Sequence, residues 1–239
     1  MKKKLLTIFL ALTLSVSCLT ACGDSSSTSD NEKSSISNGT VSESGSCGEN
    51  VKWELYSNGK LVISGTGKME KYGHPEFLED DEKISPFYQK AAWIKSVEIS
   101  ENVNSISEYA FCKCENITSV AIGKDVTEIA DNAFYSCSSI SEITIPGNVK
   151  RIGDFSFCYC SKLSNLTIED GVEEIGTAAF RDNTNLKSVS IPESVTVFGN
   201  FAFAYHSTDT KTPGFTIKGK AGSAAEKYCQ EEHLAFESE

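Results

Sequence analysis

The sequence predicts a right-handed solenoid of stacked coils with short parallel strands, and three observations point to it. Apolar residues recur with a period of 23 from Ile94 onward, without insertions. Within each unit, two of them flank a single residue that is polar in all but the second unit, which is the alternation of a half-buried strand. A coil this short cannot bury its own apolar face, so it gains a core only by stacking on its neighbours.

The first unit carries Ile94, Val97, Ile99, Val103, Ile106, Ala110, Phe111 and Cys114. The second repeats them as Ile117, Val120, Ile122, Val126, Ile129, Ala133, Phe134 and Cys137. The third gives Ile140, Ile143, Ile145, Val149, Ile152, Ser156, Phe157 and Cys160. The fourth ends Ala179, Phe180, Asn183 and the fifth Ala202, Phe203, His206. Five units thus fill residues 94–208. The alternating pairs make the strands, and Pro146 and Pro192 stop two of them. The later valine–isoleucine pairs and the phenylalanines line the other walls.

End coils would expose core, so both flanks should be caps. Residues 47–93 form the N-terminal one. Trp53 to Ile63 reads as a β-hairpin, with Asn58-Gly59 suited to a type I′ turn. Residues 209–239 form a β-α-β cap: a strand at Phe215–Ile217, a helix opened by the capping box Ser223-Ala-Ala-Glu226 and running to about His233, and a strand at Leu234–Phe236.

Ahead of the caps lies an address. Residues 1–22 combine Lys2, Lys3 and Lys4 with an apolar run from Leu5 to Val16 and end in Leu19-Thr20-Ala21-Cys22. This resembles the bacterial lipoprotein lipobox, which implies lipidation at Cys22 and cleavage before it. Residues 23–46 include ten serines and no aromatic, so they should form a disordered tether. The expected location is the cell envelope, anchored by lipid and facing outward, or periplasmic if the envelope has two membranes.

The units exemplified by Ile117-Thr-Ser-Val-Ala-Ile122, Val126-Thr-Glu-Ile129 and Ala133-Phe134-Tyr-Ser-Cys137 resemble the leucine-rich repeats of BspA-like, or Treponema-type, bacterial surface proteins. The resemblance implies a curved leucine-rich-repeat solenoid on a bacterial surface, with host-matrix binding in some members. Asn183 and His206 depart from the cysteine of that pattern.

Chemistry is sparse. The net charge of -11, more negative once the leading lysines are removed, argues against nucleic acid. There is no nucleophile elbow, zincin motif, P-loop or dinucleotide fingerprint, so no enzyme and no cofactor are expected. Cys114, Cys137, Cys160 and Asn183 share one inward position and should form a structural ladder to loop backbone, the alternative being disulfides, since neighbouring coils place the cysteine Cα atoms within bridging range. Cys112 and Cys158 sit two coils apart, on the order of 10 Å and too far to bridge. The Cys-x-Cys pairs lack four convergent ligands, so no metal is expected. The acidic run Glu79–Glu82 reads as a solvated loop without calcium-site spacing.

Aromatics supply the functional lead. Tyr109, Phe155 and Phe201 share the position before the Ala-Phe pair, while Tyr135, Tyr159 and Tyr205 lie just past the core phenylalanines. They form a candidate binding strip for a host or cell-surface protein or a glycan, on a monomer. The alternative is a display or envelope-spacing element without a dedicated ligand, in which these rings only cover the solenoid edge.

Overall fold

A computed structural model describes residues 39–79, 82–206 and 210–239. The lipobox, most of the serine-rich tether and the middle of the acidic run lie outside the described residues.

The folded body starts earlier than composition suggests. Residues Val41–Ser46, expected to belong to the tether, form strand β1, antiparallel to β2 (Val51–Tyr56). Ordering follows from what β1 covers. A side chain at Gly45 would meet the Trp53 indole at 2.9 Å, so glycine lets the edge strand lie against that ring. The β2–β3 hairpin is present, with β3 at Lys60–Gly65, but its turn differs from expectation. Gly59 has a φ of +88° while Asn58 has none above zero, and Gly59 N–H donates to Tyr56 C=O at 2.9 Å. Three residues, not two, separate the strands, which is a type I turn closed by a left-handed glycine. The Asn58 side chain accepts from Lys60 N–H at 3.0 Å. A short strand β4 (Gly67–Lys68) completes the cap's contribution.

Each subsequent coil carries two strands. They are β5 (Ser96–Ile99) and β6 (Val103–Ile106), β7 (Ser119–Ala121) and β8 (Glu128–Ile129), β9 (Glu142–Ile145) and β10 (Arg151–Ile152). Then come β11 (Asn165–Ile168) and β12 (Glu174–Ile175), β13 (Ser188–Ser190) and β14 (Val197–Phe198). Register is uniform: Leu166 pairs Ile143 and Ile168 pairs Ile145, so identical repeat positions sit side by side. The valine–isoleucine segments form a second parallel sheet, in the order β14-β12-β10-β8-β6-β4. The first wall is divided into three blocks: β1-β2-β3-β5-β7, β9-β11, and β13 with the C-terminal cap.

The stack begins one coil before Ile94. Leu61 and Ile63 of β3 register with Val97 and Ile99, and Phe87 stacks on Phe111 at 5.1 Å. Phe87 therefore heads the column of Phe111, Phe134, Phe157, Phe180 and Phe203, whose centroids follow at 5.0–5.4 Å. All six rings are fully buried. Burial of a phenylalanine side chain contributes about 1.5–3 kcal/mol. The irregular segment before Phe87 breaks the period of 23, so counting from Ile94 misses this coil.

The C-terminal cap consists of β15 (Thr216–Gly219), α1 (Ala224–Glu231) and β16 (Ala235–Ser238), with β15 parallel to both β13 and β16. Ser223 caps the helix by accepting from Glu226 N–H at 3.4 Å. The Glu226 carboxylate accepts from Gly222 N–H at 2.6 Å, one residue before the partner a standard capping box would give it.

Candidate interaction surface

A third wall carries the aromatic positions, and backbone bonds running along the stack build it. Phe111 N–H donates to Ala133 C=O, Phe134 to Ser156, Phe157 to Ala179 and Phe180 to Ala202, each at 2.8 Å. Two residues ahead, Tyr109 donates to Asp131, Asn132 to Asp154, Phe155 to Thr177 and Ala178 to Asn200. Every one of these amides points toward the next coil. At the last coil the row of donors meets side-chain oxygens of the cap: Phe203 N–H donates to the Tyr228 hydroxyl and Phe201 N–H to the Glu232 carboxylate, both at 3.2 Å.

The position shared by Tyr109, Phe155 and Phe201 is left-handed in all five coils from Ile94 onward, with φ of 53° at Tyr109, 57° at Asn132, 54° at Phe155, 53° at Ala178 and 57° at Phe201. For a non-glycine residue this backbone costs on the order of 1–2 kcal/mol, so the wall's hydrogen bonds must hold it. Exposure at this position varies: Ala178 is buried. Phe155 is 37 % and Phe201 41 % exposed, and Tyr109 is partly buried.

The rings fall into separate groups. At the N-terminal end, His74 lies between Phe77 (5.0 Å) and Tyr109 (5.6 Å). Phe77, 76 % exposed, and its exposed neighbour Leu78 extend this end of the surface. Sequence reading missed both because they lie in the irregular cap segment, outside the period. Phe155 stands in the middle. Tyr135 and Tyr159 meet edge to face at 5.4 Å, and burial raises the Tyr135 hydroxyl to about 12. At the far end Phe201 meets Tyr205 at 4.8 Å.

Tyr205 does not belong to an exposed strip. It is buried, and its hydroxyl donates to Glu232 C=O at 3.2 Å, which makes it a strut between the last coil and the cap. It lies where the chain leaves the coil for the cap, so the cap covers it.

The inward cysteines face the other way. The Cys114 thiol lies 3.7 Å from Phe87 C=O, that of Cys137 3.1 Å from Phe111 C=O, and that of Cys160 3.4 Å from Phe134 C=O. The Asn183 amide donates to Phe157 C=O at 3.1 Å. Each side chain thus reaches the core phenylalanine of the preceding coil. His206 makes a different contact, with its Nε2 3.2 Å from Thr212 Oγ1. Cys47, Cys112, Cys114, Cys137, Cys158, Cys160 and Cys229 are all buried free thiols. Burial pushes Cys112 and Cys158 up to about 12, so they are neutral and poor nucleophiles near pH 7.

The second wall carries an ion-pair network centred on Arg151. Arg151 bridges Glu128 at 3.1 Å and Glu174 at 3.3 Å on the flanking strands, and Asp131 at 2.8 Å. Asp131 also accepts from Asp154 N–H at 2.9 Å, and Asp154 in turn from Thr177 N–H at 2.7 Å. These carboxylates are committed to backbone donors and a guanidinium, so they serve the stack. Among the described residues no cluster of three or more metal-ligating side chains occurs, and no helix is long and apolar enough to cross a membrane.

The profile of the BspA type leucine rich repeat region matches residues 83–209, more than half of the chain, in six copies. The chain belongs to the BspA-type leucine-rich-repeat family. The match begins before Phe87, in keeping with the additional coil at the head of the phenylalanine column. Comparison with curated proteins gives no match. Among solved structures, the BspA-type chain is similar to a leucine-rich repeat protein from Eubacterium ventriosum at 16 % identity, covering 75 % of this chain and 73 % of that one, with a TM-score of 0.41. It is similar to a T. pallidum leucine rich repeat protein at 18 % identity, covering 78 % and 95 %, with a TM-score of 0.45. A leucine rich cell surface protein of Faecalibacterium prausnitzii is 24 % identical, covering 72 % of this chain and 53 % of its own, with a TM-score of 0.44.

Proposed function

We propose that the chain is a lipid-anchored bacterial surface protein, held at Cys22, whose solenoid binds a host or cell-surface partner through the third wall. One observation carries the binding reading: the backbone tolerates left-handed strain at the same position in each of the five coils from Ile94 onward and places aromatic rings at three of those positions, with Phe155 and Phe201 exposed and Tyr109 partly buried. A rigid wall presents such rings with little ordering cost on binding. Exposed aromatics are the residues that most often anchor interfaces. Family membership and the lipobox-like segment support the surface location.

The test uses asparagine, which already occupies this position at Asn132 and tolerates left-handed backbone. Full-length protein carrying Tyr109→Asn, Phe155→Asn and Phe201→Asn together should keep its circular dichroism spectrum and lose capture of partners from host and cell-wall extracts. A folded triple variant that captures the same partners as the parent would remove this wall from the interface. Failure of the parent to capture anything would favour the display or spacing role.

A further inference from the structure

Trp93 stands apart from the repeat. Its indole is 62 % exposed, the most exposed of any tryptophan or tyrosine among the described residues. The equivalent positions in the following coils are polar: Asn116, Ser139, Lys162 and Asn185. Two of these show what the position does in the stack. Asn116 donates to Ala92 C=O at 2.9 Å and Asn185 to Ser161 C=O at 2.8 Å, each tying its coil to the one before. A tryptophan side chain cannot make the same amide bond. Neither the repeat pattern nor core packing accounts for this ring.

The ring borders a groove of about 380 Å³ at the N-terminal cap, between the edge of β1–β2 and the segment that leads into β5. Leu55 and Tyr56 supply further apolar surface, and Glu43, Asn58 and Lys95 supply polar groups. Several of these groups have fixed positions. Tyr56 Oη donates to Glu54 at 2.9 Å, and Glu43 pairs with Lys90. The loop carrying Asn58 is pinned by Lys95 N–H to Gly59 C=O at 2.8 Å. Among the described residues the Lys95 ammonium has no carboxylate partner, although the protein is strongly acidic. The groove therefore combines one broad aromatic face with a cation, a carboxylate and a primary amide around it.

We propose that this groove is a saccharide-binding site in which a pyranose ring stacks on Trp93 and its hydroxyls bond to Asn58, Glu43 and Lys95. The inference deepens the interaction-module reading and rests on it, but it uses a different face. A pyranose has an apolar C–H face and a polar rim, matching an indole flanked by donors and acceptors. The volume lies in the range of small-ligand sites. A purely apolar ligand would desolvate the Lys95 ammonium and the Asn58 amide donors without offering them an acceptor. A polyanion such as a nucleotide would meet the repulsion of an acidic protein. An organic cation would meet Lys95.

The two tryptophans make the site directly readable, because Trp53 is buried and Trp93 is not. Full-length protein is titrated with N-acetylglucosamine oligomers, lactose, sialyllactose and mannotriose to about 10 mM, where a site with a Kd of 1 mM is nearly filled. Emission and acrylamide quenching are followed, with calorimetry as a label-free check. The expected result is saturable protection of Trp93 by at least one saccharide, weakened at least tenfold in Trp93→Asn and in Lys95→Met. Trp93→Asn places in the first coil the residue that the second and fifth already use, so it should fold. A silent panel, or calorimetric binding unchanged in Trp93→Asn, overturns the saccharide site. If protein capture by the third wall persists in that case, only the saccharide inference falls.

Discussion

The Asn183 side-chain amide donates to the Phe157 carbonyl across 3.1 Å, the same bond and length by which the Cys137 thiol reaches Phe111. Thiol and amide are exchangeable here because each places a donor under a carbonyl that the core would otherwise leave partly unsatisfied. Asn183→Cys should therefore leave the urea midpoint nearly unchanged. Asn183→Ala should cost about 1–3 kcal/mol, the penalty for removing a partner from a buried polar group. Equal stability of the two variants would sink the ladder.

The buried thiols set a pH limit. Burial raises Cys47, Cys112 and Cys158 to about 12 and Cys229 to about 11, against roughly 8.5 in an unfolded chain. A group with a raised folded pKa contributes its full stability below the unfolded value and loses it as pH climbs toward the folded one. Stability should thus decline from about pH 8.5 toward 12, and Cys→Ser variants at these sites should flatten the decline. At pH 8 the native protein should resist iodoacetamide until denatured, without any need for reductant. Labelling that still requires reductant after denaturation would show disulfides.

Phe157 sits between Phe134 and Phe180 at 5.1 and 5.4 Å and is fully buried. Phe157→Ala should lower stability by about 3–5 kcal/mol through lost burial and the cavity left behind. A loss under about half a kcal/mol, typical of surface positions, would contradict the column.

Tyr228 tests the end of the third wall. Its hydroxyl, carried on the buried face of the cap helix α1, is the acceptor for Phe203 N–H. Tyr228→Phe keeps the ring and its stacking on Phe198 at 4.7 Å but leaves a buried donor without its acceptor. The expected cost is about 1–3 kcal/mol. Hydrogen exchange at Phe203 should accelerate while the Phe111 amide stays protected. Unchanged exchange at Phe203 would mean the cap does not terminate the row.

Anchoring at Cys22 is checked by fractionation. Cys22→Ala should move the protein from the membrane fraction and abolish labelling by a palmitate analogue. Retention in the membrane with unchanged mobility would refute the lipid anchor.

The repeats were legible because burial imposes the same apolar pattern on every coil, and Phe111 to Phe203 keep that register without a slip. Phe87 escaped because the cap segment before it is irregular in length, although the ring sits in the same column. The β1 strand escaped because serine and glycine carry no strand signal; its order comes from a long-range contact with Trp53. The left-handed backbone at Phe155 and Ala178 is equally invisible to propensity, since hydrogen bonds to the next coil impose it. Tyr205 and Phe201 look alike in sequence, yet only the position of the cap separates a buried strut from an exposed ring.

The division of the first wall gives the body unequal compliance. Six strands from β4 to β14 form one unbroken ladder, whereas among the described residues no ladder joins β7 to β9 or β11 to β13. A bending load that parts the first wall at those seams ruptures no ladder, while the opposite load must stretch bonds along the whole second sheet. The second wall acts as a spine, and the first as a segmented face whose curvature can open or close about it.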